Sequence, residues 1–123
     1  MQLSDRDLEL LAWIGEQHTC RADLLAVLMA RHSDDAEARQ RGRLVARVVN
    51  RRIQAWRDAG LVKARPFLVG TPATVWLTAD GVAAAGLPWR PYEPTLATVA
   101  HRHAVGLVRA EAEAKGLGLD LRT

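Results

Sequence analysis

The chain has a single cysteine, Cys20, among 123 residues. This excludes an intramolecular disulfide scaffold and any zinc site made of clustered cysteines. No uncharged apolar run approaches the ~18 residues that a membrane span requires. The opening MQLSDRDLELL carries acids where a signal peptide carries lysines. Catalytic signatures are missing too: there is no glycine-rich phosphate loop, no H-E-x-x-H pair and no nucleophile elbow. Asp5, Asp7 and Glu9 cluster near a helix start, where dipole compensation accounts for them. A nuclease needs paired carboxylates and a lysine around a metal. Toward the C-terminus only Glu93, Glu111, Glu113, Asp120 and Lys115 are available, with no strand scaffold around them. The expectation is a soluble, cytoplasmic chain that is not an enzyme and takes no cofactor, no metal and no evident small-molecule ligand.

The length is that of about one domain. With 49% apolar and 25% charged residues the composition is close to the globular average, so the chain should bury a real core. Acids are scarce where bases are dense. Residues 1–37 hold three arginines against eight acids, net −5. Residues 38–65 hold eight arginines and Lys63 against Asp58 alone, net +8. Residues 66–123 balance at five against five, so the formal +3 of the whole chain belongs to one segment. Such concentration is the electrostatic footprint of a surface that meets a polyanion.

Ser4 reads as an N-cap, with Asp5 and Asp7 placed to suit a helix start. Leu8, Leu10, Leu11 and Ile14 then recur at helical spacing to about Gln17. Thr19 reads as the cap of a second helix from Cys20 to about Arg31, with Leu24, Leu25, Val27 and Leu28 on its apolar side. After the polar HSDDAE, residues 32–37, a third helix is expected over 36–59. Gly60 ends it as a C′ residue. A β-rich run from Leu61 to Val69, a Gly70-Thr71-Pro72 turn and a second run from Ala73 to Leu77 make a hairpin. Pro66 puts the first strand at an edge or bulge, because it lacks a ladder donor. Thr78 caps a brief helix, ADGVAAAG. The segment 88–94 is a proline-rich linker, Thr95 opens a last helix to about Lys115, and the terminal LGLDL alternates like a strand. The fold class expected is mainly α with a small β-hairpin (α+β). The domain division expected is 1–87, linker 88–94, and a C-terminal helix and tail over 95–123.

On a wheel at 100° per residue, Arg39, Arg43, Arg47, Asn50, Gln54 and Arg57 fall within about 40° of one direction. Arg51 flanks this stripe. Leu44, Val45, Val48, Val49, Ala55, Trp56 and Ala59 take the other side. Arg52 breaks the partition by pointing toward the apolar face. It either snorkels or pairs with an acid of the first helix such as Asp7 or Glu16. A helix seeking only solubility would mix in glutamates, because like charges at i,i+4 repel. Seven arginines between 39 and 57 with no acid among them call for an external anion. Arginine suits bidentate contact with guanine edges and phosphates, and the amides of Asn50 and Gln54 suit adenine.

The segments Trp56-Arg57-Asp58-Ala59-Gly60-Leu61-Val62 and Val75-Trp76-Leu77-Thr78-Ala79-Asp80-Gly81 resemble two bacterial signatures, "L-x-x-x-G-L-V" and "Y-x-L-T-x-x-G". These bracket the wing in winged helix-turn-helix proteins, including MarR- and PadR-type regulators. His101, Ala104, Val105, Val108 and Arg109 are similar to the "H-x-L-A-V-x-x-V-R" stretch of the actinobacterial replication-relaxation family of plasmids, phages and integrative elements. His103 departs from it where that family favours leucine. That resemblance implies a naturally short relative or the N-terminal piece of something longer.

The resemblance and the basic stripe together imply a sequence-reading protein for double-stranded DNA: a transcriptional regulator or a mobile-element control factor. The alternatives are a DNA-tethering accessory module of replication or conjugation machinery, and a winged helix used for protein–protein contact. The expected DNA-binding residues are Arg39, Arg43, Arg47, Asn50, Arg51, Gln54 and Arg57, with Lys63, Arg65 and Thr71 on the wing. In the last helix one apolar stripe runs through Leu96, Val99, Ala100, His103, Gly106, Leu107, Ala110 and Ala114. A second, through Ala104, Val105, Val108 and Ala112, is the expected homodimer contact. His101 and His103 project about 200° apart on a helix and cannot chelate one ion. Cys20 in a helix's first turn would have a lowered thiol pKa, but without a partner cysteine a small buried residue is the default.

Overall fold

The computed structural model describes residues 2–116. Ser4 starts α1 (Asp5–Gln17) through a reciprocal capping box. The Asp7 N–H donates to Ser4 Oγ at 3.1 Å, and the Ser4 N–H donates to the Asp7 carboxylate at 3.0 Å. Leu10, Leu11, Trp13 and Ile14 then face the interior.

The next element departs from the sequence expectation. Cys20–Arg21 forms a short strand, β1, and α2 (Ala22–Arg31) begins after it with Arg21 at the N-cap. Thr19 is buried and caps nothing. β1 pairs antiparallel with β3 (Thr74–Leu77), Cys20 opposite Val75 and Arg21 opposite Thr74. The ladder gives partners to backbone groups of β3 that would otherwise be buried without them, and this outweighs one local cap.

The helix expected over 36–59 is two helices, α3 (Ala36–Arg41) and α4 (Ala46–Asp58). Gly42 closes α3 in the left-handed region at φ 83°, its N–H donating to the Ala38 carbonyl at 2.9 Å. The Leu44 N–H then donates to the Ala26 carbonyl of α2 at 3.0 Å. A continuous helix would carry glycine in its interior and stack Arg39, Arg43 and Arg47 at repelling i,i+4 spacing. The break relieves both and adds a tertiary hydrogen bond.

β2 (Val62–Arg65) pairs antiparallel with β3, and the sheet order is β1-β3-β2. Pro66 follows the last residue of this edge strand, so its missing N–H interrupts no ladder. Every residue of β3 is buried. The fold is therefore mainly helical with a small antiparallel sheet, an α+β arrangement. Leu11, Ile14, Leu25, Val49, Trp56 and Val75 form the centre of its core.

The hairpin's exit has a specific chemistry. Thr78 Oγ1 donates to the Gly60 carbonyl at 2.6 Å and accepts from the Gly81 N–H at 3.1 Å, which caps α5 (Ala79–Ala84). The Thr78 N–H donates to the Leu61 carbonyl at 3.0 Å. A Cβ on Gly81 would overlap that same Leu61 carbonyl, a backbone atom that cannot swing aside. Gly81→Ala is accordingly expected to cost about 1–3 kcal/mol through overpacking. A lower urea midpoint with an unchanged slope would register it.

The proline segment brings the chain back onto the body. Tyr92 stacks on His18 with ring centroids 4.7 Å apart, and Pro94 is buried. Thr95 and Thr98 form a capping box at the start of α6 (Leu96–Ala114), which lies against β1 and α1. Arg109 fixes its rotation. Its guanidinium sits between Glu16 at 2.9 Å and Glu113 at 3.0 Å, 4.7 Å over the Trp13 ring. Glu113 also accepts from Trp13 Nε1 at 3.0 Å and from Arg31 at 3.2 Å. Burial alone would raise the Glu113 carboxyl, but the hydrogen bond from Trp13 and the charge of Arg109 hold it below its ordinary value. The expected strand at LGLDL, residues 117–121, lies outside the described residues.

Candidate nucleic-acid interface

α4 buries Val49, Ile53 and Trp56 and turns Arg47, Asn50, Arg51, Gln54 and Arg57 to solvent. The helix is anchored from within. Trp56 Nε1 donates to Asp7 Oδ1 at 3.1 Å, and Arg52 pairs with the same buried carboxylate at 3.3 Å. Of the two fates open to Arg52 in the sequence, the structure takes the ion pair with Asp7.

Two parts of the expected stripe do not survive the helix break. Arg39 lies on α3 and Arg43 in the connection, so neither continues the line of Arg47, Asn50 and Gln54. The turn at Gly42 resets the 100° phase on which their alignment rested. Both remain exposed on the chain that leads into α4. The apolar side also changes: Val45 and Val48 are 45% and 38% exposed and Ala59 is exposed, because the core line is set by Val49, Ile53 and Trp56.

The arginines differ in how they are paired. Arg6, Arg21, Arg31, Arg52 and Arg109 each form an ion pair: with Asp34, Asp23, Glu113 and Asp7, and, for Arg109, with Glu16 and Glu113. Among the described residues no carboxylate pairs with Arg39, Arg41, Arg43, Arg47, Arg51 or Arg57. The arginines that hold the fold together are neutralised locally. Apart from Arg52, those on α3, α4 and their connection face water without a carboxylate partner; Arg65, Arg90 and Arg102 also lack one among the described residues, but they are scattered over the hairpin, the proline segment and α6.

Gln54 is engaged by its own helix, its amide donating to Asp58 at 2.8 Å. The one acid of the basic segment thus sits at the C-terminal end of the exposed face. The N-terminal half, with Arg47, Asn50 and Arg51, is uniformly free of acids.

No protein family, curated protein or solved structure matches this chain.

On the hairpin, Lys63 pairs with Glu93 at 3.4 Å, and Thr71 Oγ1 donates to the Leu68 carbonyl at 2.7 Å. Both expected wing contacts are partly committed inside the chain. Arg65 is exposed, its guanidinium 4.2 Å over the Phe67 ring.

Cys20 is not in a helix. It lies in β1, fully buried, and burial pushes its thiol up rather than down. His101 is exposed, while burial and the neighbouring Arg21 charge hold the half-buried His103 below the ordinary histidine value. Among the described residues no group of three or more His, Cys, Asp or Glu side chains could hold a metal ion. No described helix is long and apolar enough to cross a membrane.

The last helix is rotated from expectation. Val99, Gly106 and Ala110 point inward, but Leu96, Ala100, Leu107 and Ala114 of the same expected stripe are exposed. Of the expected dimer contacts, Ala104 and Val108 are exposed and Val105 is half-buried, whereas Ala112 is only 4% exposed and is covered by its own chain. A helix rich in alanine has a weak apolar phase. The Arg109 ion pairs decide which side faces in.

Proposed function

We propose that this chain is a winged-helix protein that binds double-stranded DNA, with α4 in the major groove and the β2–β3 hairpin as its wing. The observation that carries this is the concentration on α3, α4 and the loop between them of six arginines, Arg39, Arg41, Arg43, Arg47, Arg51 and Arg57, that have no carboxylate partner among the described residues. An uncompensated arginine face releases condensed counterions when it meets phosphates, the largest sequence-independent term in DNA affinity. The order of helix, short strand, three further helices and hairpin, closed by the sheet β1-β3-β2, supports the winged-helix assignment. Base reading falls to Arg47, Asn50 and Arg51, because residues near the N-terminus of such a helix reach base edges and Gln54 is held by Asp58. Arg39, Arg43 and Arg57 grip phosphates on either side. The role that fits is control of transcription or of a mobile element, in the cytoplasm where the DNA is.

A titration against random duplex DNA across salt tests this. Affinity should fall steeply with salt, with a slope of about −0.9 for each phosphate neutralised. Absent binding at about 50 mM salt rejects the DNA function and leaves protein contact as the use of the fold.

A second copy is proposed to join along the outer ridge of α6. Leu107 and Val108 are 46% and 53% exposed there, beside the exposed Leu96, Ala100 and Ala104. Two-fold dimers are the commonest oligomers and match two half-sites on DNA. Leu107→Glu with Val108→Glu should convert the dimer to a folded monomer in sedimentation. An unmodified chain that sediments as a monomer at high micromolar concentration removes the dimer.

A further inference from the structure

We infer that the tip of the hairpin is an apolar wedge that enters the DNA minor groove and kinks the duplex, with Leu68 and Val69 as the inserted side chains. The inference rests on the DNA-binding reading above and adds to it a deformation of the DNA. Leu68 is 55% exposed, and Val69 is exposed completely. Adjacent apolar side chains so far out in water gain from any apolar environment the partner offers.

The tip is built to hold its shape. Pro66 and Pro72 stand on either side of it, and Gly70 supplies a φ of 81°. The Leu68 carbonyl accepts both the Thr71 N–H at 3.2 Å and the Thr71 hydroxyl at 2.7 Å. Phe67 is braced at the base, 6.0 Å from the Trp76 ring of β3 and beneath the Arg65 guanidinium. β2 lies against α4, so the hairpin is fixed beside the helix that enters the major groove.

Charge selects the partner. Between Asp58 and Asp80 the chain has no acid, and its charges there are Lys63 and Arg65. With Lys63 drawn to Glu93, Arg65 is the cation next to the tip and the natural phosphate contact at the groove edge. The tip itself, from Pro66 to Ala73, is uncharged and has no side chain to hold a phosphate by charge. Size argues against a protein partner: two side chains offer a small fraction of the ~800 Å² per partner of a stable interface. A wedge needs only one or two. Apolar wedges, leucine among them, unstack a base step and bend DNA by about 20–90°.

The test uses the full chain and a duplex that it selects from a random pool, labelled at both ends for energy transfer. The unmodified chain should bring the ends together. It should also bind about tenfold tighter when the central step carries a mismatch, because the unstacking is then already done. Leu68→Ser with Val69→Ser should straighten the complex and abolish the mismatch preference. Both positions are exposed, so thermal melting should be unchanged in the variant. A straight complex with the unmodified chain overturns the wedge and leaves α4 binding intact. Failure to select any duplex overturns both. An unchanged bend in the double variant, or a change in its sedimentation instead, also overturns the wedge, the latter in favour of protein contact.

Discussion

Replacing Trp56 by alanine is expected to remove about 3–5 kcal/mol of folding stability. Trp56 has no exposed surface and lies where α4 meets the start of α1. The substitution opens a cavity in the core and withdraws the indole donor from Asp7, a carboxylate that is itself only 3% exposed. Asp7 keeps Ser4 and Arg52, so the loss stays short of that for a bare buried charge. Against a typical total of about 5–15 kcal/mol, such a loss leaves a marginal fold. Trp56→Phe separates the two contributions. It keeps most of the volume and should lose about 1.5–3 kcal/mol, the worth of one hydrogen bond to a charged group. Urea unfolding of both variants measures this, and a loss below about 1 kcal/mol for the alanine variant would show that the core does not depend on this residue.

The second large effect is expected on the DNA affinity proposed for α4. Arg47→Ala and Arg51→Ala should each weaken binding to a selected site by about 1–3 kcal/mol, or roughly five- to 150-fold. Neither residue is buried or ion-paired, so stability should stay within about 0.5 kcal/mol of the original. The two readouts then distinguish their roles. A base-reading arginine relaxes preference at one base pair, whereas a phosphate-binding one weakens all sequences alike and lowers the salt slope by about one. Arg6→Ala is the control, since Arg6 is already neutralised by Asp34, and it should leave affinity unchanged. If both α4 variants bind as tightly as the original with the same salt slope, the face is wrongly assigned.

Much of the local architecture was legible in the residues. The Ser4 cap, the hairpin with its glycine-proline turn, the Thr78 cap and the Thr95 start of the last helix each depend on neighbours a few residues apart. Gly42 was the visible signal for the missed break, a glycine set among arginines that repel along a helix. No comparable signal marked β1, whose two residues pair only because β3 passes beside them. The outward face of α4 could be read from periodicity, but its extension to Arg39 and Arg43 could not, since the wheel assumes an unbroken helix.

By itself the sequence determined the segregation of charge, the order of helices and hairpin, and the side of α4 that Trp56 buries. These follow from periodicity and from contacts within about one helical turn, which adjacent residues encode directly. Only the tertiary structure decided where α4 begins, that Arg52 closes on Asp7, and which side of α6 turns inward. In each case the local alternatives were close in energy, a snorkelling arginine against a paired one, or one small-residue stripe against another. The balance was set by partners far away in the chain, such as Glu16 for Arg109 and Ala26 for Leu44, whose proximity exists only once the chain has folded.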